Sequence, residues 1–332
     1  MKILFNTSFD LSPDERVAIS QRLPGSTVEQ FCEPDPDALD GAGVEVIVSD
    51  RIPRGLDRWP DLQWVQLISA GSNHLKGHPV WETSINVTNA SGIHAVVIAQ
   101  YVTFTWLMMV HRMPSLLEFK QTRRWPDRPS LGNRAVRGMT VGLIGYGSIG
   151  RECARQLNHL GMRVLCLKRD PWERIFRGYN PFAGTGDPEG EIPEGWYASD
   201  QLGELLPQCD LVVVTVPGTP QTEGMMGAAE LALMKPEARL IVISRGGIVE
   251  ETALADALRE GRLKEAVVDC YVEEPLPEDH AFFEVPNLIM TPHVSGMLSA
   301  YWPMLHDLLH RNLRRYAAGV PLLNEVNRDL GY

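Results

Sequence analysis

Positive charge is the first thing the sequence lacks. Its 31 Lys and Arg residues are outnumbered by 42 Asp and Glu, for a net charge of −11 over 332 residues. That balance argues against a general nucleic-acid binder, which usually carries a basic stripe. It also repels anions at long range, so an anionic substrate would need cations gathered locally. Cysteine is sparse. Cys32, Cys153, Cys166, Cys209 and Cys270 are odd in number, widely spaced and form no C-x-x-C pair, which suits thiols of a reducing compartment better than a disulfide framework. Long apolar runs are missing too. The most membrane-like stretch, Ile93 to Val110, is interrupted by His94, Gln100, Tyr101 and two threonines, and reads as a buried helix at a domain or subunit interface, so no membrane span is expected. The opening Met1–Asn6 turns polar too soon for a signal peptide and reads as a first strand; the cytoplasm is the expected compartment. His74, His78 and His111 lack metal-like spacing with Cys or carboxylates, and no metal is expected. There is no internal repeat or low-complexity tract, and 44% hydrophobic with 22% charged residues is ordinary for a packed protein and excludes disorder.

What is present is alternation. At about 150 residues per domain, the length predicts two domains. Short β-branched runs alternate with helical patterns, the signature of parallel sheets covered by helices. Early strands are predicted at Ile3–Asn6, Val44–Ser49 and Trp64–Ile68. A second series follows at Thr140–Ile144, Arg163–Leu167, Leu211–Val216, Leu240–Ile243, Ala266–Asp269 and Leu288–Met290. Between the series lie the long apolar segment, whose start is a predicted hinge, and a polar stretch with Arg123, Arg124, Trp125, Pro126 and Pro129. A final helix is predicted over Ser299–Ala318, with Pro303 tolerable in its first turn and Arg311, Arg314 and Arg315 suiting its C-terminal dipole. Pro171 to Gly195 is rich in Gly and Pro without periodicity, and a loop that long is usually functional or mobile.

Gly145-Tyr146-Gly147-Ser148-Ile149-Gly150 fits G-x-G-x-x-G. The pattern alone is weak, but a strand precedes it and a helix follows, ended by Gly161. In such a turn the first glycine makes the bend, the second admits a pyrophosphate, the third lets helix and strand approach, and the helix N-terminus faces the anion. The decoys Gly41-Ala42-Gly43 and Gly184-Thr185-Gly186 lack that context. A NAD site usually places an acidic residue about 20 positions further on, at the end of the next strand. Here that strand ends in Lys168-Arg169, with Asp170 two residues too late. The cationic pair favours NADP(H), with NAD(H) possible if the pair is only a solvated basic turn.

In open parallel sheets the ligand lies beyond the carboxyl ends of the strands. Arg245, Asp269 and His293 each follow such an end. Taken singly they read as a surface arginine, a loop carboxylate and a satisfied histidine; together they suggest a site. The chain resembles the D-isomer-specific 2-hydroxyacid dehydrogenase family over essentially its whole length, most closely the glyoxylate/hydroxypyruvate reductase-like branch. The matching stretches are Ser69–His74, Asn89–His94, the glycine turn, Pro217–Thr222, Arg245-Gly246-Gly247, Asp269 through Glu274-Pro275-Leu276-Pro277, Thr291-Pro292-His293, Asn312-Leu313 and Pro321–Asn324.

The resemblance implies two doubly wound parallel-sheet α/β domains, with a Rossmann-type cofactor domain (99–296) inserted into a flavodoxin-like substrate domain (1–98 and 297–332). It implies that Arg245 binds the substrate carboxylate and carbonyl, that His293 donates a proton to the carbonyl oxygen, and that Glu274 orients the imidazolium. Asp269 would contact the nicotinamide side of the cofactor, and the backbone of Ala70 and Gly71 would complete the carboxylate site. Cofactor contacts are expected from Gly145 to Gly150, Lys168, Arg169, Pro217, Thr222, Ser244, Asp269, His293 and Gly296. These roles suit the chemistry: hydride reaching a ketone carbon builds negative charge on its oxygen, so a cation and a proton donor must be close. Val242, Gln100 and Gly218 depart from the usual residues, none at a catalytic position. Trp125, His94 and Tyr301 either narrow the substrate pocket or serve packing.

The expected reaction is reduction of a small 2-keto acid to its D-2-hydroxy acid, glyoxylate or hydroxypyruvate first and bulkier 2-keto acids second. The competing readings are a nucleotide-sensing scaffold, because relatives of this fold serve as corepressors, and formate or phosphite oxidation. A homodimer is expected from the resemblance alone. Lys168, Arg169, Arg245 and a helix N-terminus would make the site locally positive inside an acidic protein.

Overall fold

The computed structural model describes residues 1–9, 11–22, 25–127 and 134–332; Pro129 lies outside them. The chain divides into two compact units. The first comprises residues 1–93, 177–181 and 299–332, and the second 94–176 and 182–298. The hand-over falls at 93/94, where 98/99 was expected, and the return at 298/299, where 296/297 was expected. The excursion at 177–181 has no counterpart in the sequence reading.

In the first unit, β1 (Lys2–Asn6), α1 (Pro13–Arg22), β2 (Thr27–Phe31), β3 (Val44–Val48), β4 (Trp64–Gln66) and β5 (Asn86–Thr88) build a five-stranded parallel sheet of order β2-β1-β3-β4-β5. Successive side chains point to opposite faces. Ile3, Phe5, Val46, Val48 and Trp64 therefore join one apolar cluster, and Leu4, Ile47 and Val65 the other. Tyr179, from the excursion, is buried in this unit. Its hydroxyl donates to Asp307 Oδ2 (2.9 Å), and its N–H donates to Asn324 Oδ1 (2.9 Å).

The second unit begins with α2 (Ala95–Val110) and α3 (Met113–Thr122). It continues through β6 (Thr140–Ile144), α4 (Ser148–His159), β7 (Arg163–Leu167), β8 (Gly195–Tyr197), α5 (Leu202–Leu205), β9 (Leu211–Val214), α6 (Ala228–Leu233), β10 (Arg239–Val242), α7 (Glu251–Arg259), β11 (Glu265–Val268) and β12 (Leu288–Met290). Its seven strands are parallel in the order β12-β11-β10-β9-β6-β7-β8. Leu211, Val213, Ile241 and Val267 face the cluster with α2 and α4, while Val212, Val214, Leu240 and Val268 face the cluster with α6 and α7. Both faces are covered, which is why these strands are nearly all apolar. The final helix, α8 (Tyr301–Ala317), returns the chain to the first unit, where Leu309 and Leu313 pack on the sheet. No helix among the described residues is long and apolar enough to cross a membrane.

Candidate active site

The strand order reverses between β6 and β9, and the glycine turn sits at that switch point. Each glycine has a separate physical reason. Gly145 has φ +104°, and a Cβ there would lie 2.7 Å from Thr215 Oγ1. A Cβ on Gly150 would lie 2.3 Å from the Gly145 carbonyl oxygen, so only glycine lets α4 press on β6. A Cβ on Gly147 would meet nothing within 4 Å, and its φ is −85°. Neither backbone strain nor packing among the described residues requires glycine there; close approach of a ligand would. Gly147 also caps α4, whose first N–H groups and dipole favour an anion. The buried Ser244 Oγ, without a partner among the described residues, likewise fits a polar ligand group. The residues present thus fit a dinucleotide.

Tyr146 offers only its backbone to such a ligand. Its ring is buried against Trp196, and its hydroxyl donates to Asp187 Oδ2 (2.6 Å). Arg151 of α4, also buried, donates to the carbonyls of Asp187 (2.5 Å) and Arg174 (2.6 Å). The irregular 171–195 segment is therefore anchored on the glycine-turn helix by a buried polar network. That function was not legible in its composition. Lys168, just after β7, pairs with Glu173 Oε2 at 3.0 Å and also donates to the Glu173 carbonyl. Its cation is already matched. Thr222 Oγ1 donates to the Pro217 carbonyl (2.6 Å) and accepts from Thr219 N–H (2.9 Å), shaping the loop beyond β9.

Arg245, Asp269, Glu274 and His293 come together beyond the carboxyl ends of the neighbouring strands β10, β11 and β12. The Arg245 side chain donates to the Ser244 carbonyl (2.7 Å). A Cβ on Gly246 would lie 2.0 Å from the Tyr271 carbonyl, so the glycine after Arg245 lets that turn press on the backbone following β11. Tyr271 N–H donates to Glu274 Oε1 (2.9 Å), and His293 Nδ1 lies 2.8 and 3.0 Å from the Glu274 oxygens. A carboxylate only accepts, so Nδ1 carries hydrogen and Nε2 is directed away from Glu274. Partial burial of Glu274 favours its neutral acid, but hydrogen bonds from His293 and Tyr271 and the charges of His293 and Arg245 outweigh it and hold the carboxyl below its usual value.

Asp269 is fully buried. Its Oδ1 accepts from Thr291 Oγ1 (2.5 Å) and Val294 N–H (2.9 Å), and its Oδ2 from Ser295 N–H (2.9 Å). It thus binds the turn that carries His293, whose φ is +52°. Two α2-region side chains reach the same turn: His94 Nδ1 lies 2.8 Å from the Gly296 carbonyl oxygen, and the Tyr101 hydroxyl 2.6 Å from Thr291 Oγ1. Sequence reasoning left His94 between pocket and packing and did not assign Tyr101. Ala70 and Gly71 lie in the first unit beyond β4, where Ser69 Oγ donates to the Gly71 carbonyl (2.7 Å). Tyr301, also in that unit, donates to the Ile68 carbonyl. Trp125 is strongly exposed, edge-on to Phe119. No group of three or more metal-ligating side chains occurs among the described residues.

A parallel, doubly wound sheet with a glycine turn at its switch point defines a dinucleotide-binding α/β domain. The chain belongs to the D-isomer specific 2-hydroxyacid dehydrogenase family, whose NAD binding domain matches residues 104–295, and it is accordingly a dehydrogenase. It is 34% identical over 285 residues to (S)-sulfolactate dehydrogenase of Chromohalobacter salexigens, covering 84% of this chain and 86% of that one. It is 31% identical over 307 residues to glyoxylate reductase of Thermococcus gammatolerans, covering 89% and 84%. Among solved structures, the D-isomer specific 2-hydroxyacid dehydrogenase of Xanthobacter autotrophicus in complex with NADPH and MES superposes with a TM-score of 0.79 at 27% identity, covering 100% of this chain and 99% of that one.

Proposed function

We propose that the protein reduces a small 2-keto acid to its D-2-hydroxy acid with NADPH, glyoxylate or hydroxypyruvate being the first candidates. The observation that carries this reading is the Glu274–His293 pair beside the Arg245 turn. Arg245 presents a planar fork suited to a carboxylate. A bound nicotinamide supplies the hydride. As negative charge builds on the keto oxygen, His293 donates its Nε2 proton there, while the guanidinium offsets the charge. The imidazole that remains keeps Nδ1–H on Glu274, so the same group accepts the proton in the reverse direction. The resemblance assigns the backbone N–H groups of Ala70 and Gly71 to the substrate carboxylate.

The NADPH preference rests on Lys168 and Arg169 in the place of an acidic residue. A 2′-phosphate there competes with Glu173 for the Lys168 ammonium. The likeness to a sulfolactate dehydrogenase favours a second substrate reading, a 2-keto acid bearing a sulfonate. A homodimer is supported by α3, which buries none of its residues and exposes Met113, Leu116 and Leu117. The five free cysteines, four of them buried, suit the reducing cytoplasm.

The test is a panel of glyoxylate, hydroxypyruvate, 3-sulfopyruvate and bulkier 2-keto acids, each with NADPH and NADH and with Arg245→Ala as control. Turnover without any partner protein separates the enzyme from a sensing scaffold. No turnover with any keto acid refutes the proposal, and equal efficiency with both nucleotides refutes the cofactor preference.

A further inference from the structure

The turn bearing His293 is held from both sides by one short stretch of chain. Two residues before His293, Thr291 Oγ1 lies 2.6 Å from the Tyr101 hydroxyl. Three residues after it, the Gly296 carbonyl lies 2.8 Å from His94 Nδ1. His94 precedes the first residue of α2 and Tyr101 lies within it. Seven positions apart, they fall about two helical turns from each other and so share a face.

The chemistry of the partners settles the hydrogen-bond directions. The Thr291 hydroxyl has one hydrogen, and it goes to the Asp269 carboxylate, which can only accept. Tyr101 must therefore be the donor to Thr291, giving a chain that runs Tyr101 to Thr291 to Asp269. Asp269 in turn accepts from Val294 and Ser295 N–H. Burial pushes the Tyr101 phenol up to about 12, so it keeps its proton at any working pH. The Gly296 carbonyl also only accepts, so His94 Nδ1 carries hydrogen. Burial, with a lesser effect from Arg245, lowers the His94 pKa despite the bond to Gly296, which favours the neutral ring.

The need for such bracing is local. A non-glycine residue with φ near +52° sits in the disfavoured left-handed region, and neighbouring groups must hold it there. A proton donor misplaced by about 1 Å can lose about 10²-fold in rate.

We propose that His94 and Tyr101 are positioning residues for the reaction, clamping the 291–296 turn so that His293 meets Glu274 on one side and the keto oxygen on the other. This rests on the reading of His293 as the proton donor. Tyr101→Phe removes a single hydroxyl, and His94→Ala removes the other anchor. His94→Asn retains an N–H donor near the place of Nδ1.

The experiment measures kcat and KM for the keto acid and NADPH in the three variants, together with amide hydrogen exchange at Val294 and Ser295. Tyr101→Phe and His94→Ala are expected to lower kcat by about tenfold with both KM values within about twofold, and to speed exchange at both amides. His94→Asn recovers most of the loss. Unchanged kcat and unchanged exchange in Tyr101→Phe and His94→Ala overturn the clamp. So does a His94→Ala defect confined to the keto-acid KM, which would make His94 a substrate contact. If the wild-type protein turns over no keto acid, the functional reading fails; the amide exchange, which needs no substrate, still decides whether these side chains hold the turn.

Discussion

At the scale of single residues, the site depends on which atoms carry hydrogen. Glu274 fixes Nδ1 of His293 as a donor, which in the proposed reaction leaves Nε2 for the substrate. Glu274→Gln keeps the shape but replaces the anion, and is expected to lower kcat by about 10²-fold or more with little change in Tm near neutral pH, measured by steady-state kinetics and calorimetry. The same carboxyl also predicts an acid effect. Its folded pKa lies below the ordinary 4.5, so the unfolded chain takes up the proton first as pH falls. The associated stability is complete above about 4.5 and is lost as pH drops through the lower folded value. Glu274→Gln should show a shallower fall of Tm below pH 5 than the wild type, and a small difference, since the carboxylate is 37% exposed and screened by solvent.

At the scale of elements, the glycine turn separates packing from binding. Gly150→Ala forces a Cβ to 2.3 Å from the Gly145 carbonyl and is expected to cost about 1–3 kcal/mol of stability, read as a lower denaturation midpoint. Gly147→Ala meets no protein atom within 4 Å. It should leave the midpoint unchanged and weaken nucleotide affinity in a fluorescence titration; an unchanged affinity would remove the ligand argument for that glycine. The network around Asp187 gives another element-level expectation. Tyr146→Phe strips a buried carboxylate of a donor and should cost about 1–3 kcal/mol, with faster proteolysis of the 171–195 segment.

The elements also show what periodicity can reveal. The strands β6, β7, β9, β10 and β11 were legible because each carries an apolar run, after a polar or charged first residue in all but β9, and is covered on both faces. β2 was not, since no residue of Thr27–Phe31 is fully buried and an edge strand has less apolar surface to hide. β5 and β8 span three residues each and hold Asn86, Thr88 and Gly195, so unlike β12, which is equally short but reads Leu-Ile-Met, they offer no apolar run.

At the scale of the whole molecule, buried histidines tie stability to pH. His78 donates from Nε2 to the Ile52 carbonyl (3.2 Å) and accepts Val80 N–H on Nδ1 (3.1 Å), an arrangement that only the neutral ring can make. Burial lowers the pKa of both His78 and His94 from 6.5. The unfolded state therefore binds more protons below that value, and stability falls as pH drops through 6.5 toward the folded values. Calorimetry between pH 7.5 and 5.5 should show Tm decreasing, with a flatter profile for His78→Asn. A Tm independent of pH across that window would contradict it.

The sequence by itself determined six of the second unit's seven strands, all but β8, the glycines that a tight turn and close helix packing demand, and the placement of Arg245, Asp269 and His293 after strand ends. These are local properties, written in spacing and residue type. Only the tertiary structure decided that the 177–181 excursion seats Tyr179 in the first unit, that Asp269 binds the His293 turn, and that His94 and Tyr101 reach it from about 200 residues earlier in the chain. Hydrogen bonds between such distant residues leave no periodic trace, because neither partner's neighbours in sequence need to vary with it. The proposed anion site of this acidic protein has the same origin, in folding that brings a few cations and N–H groups to one end of a sheet.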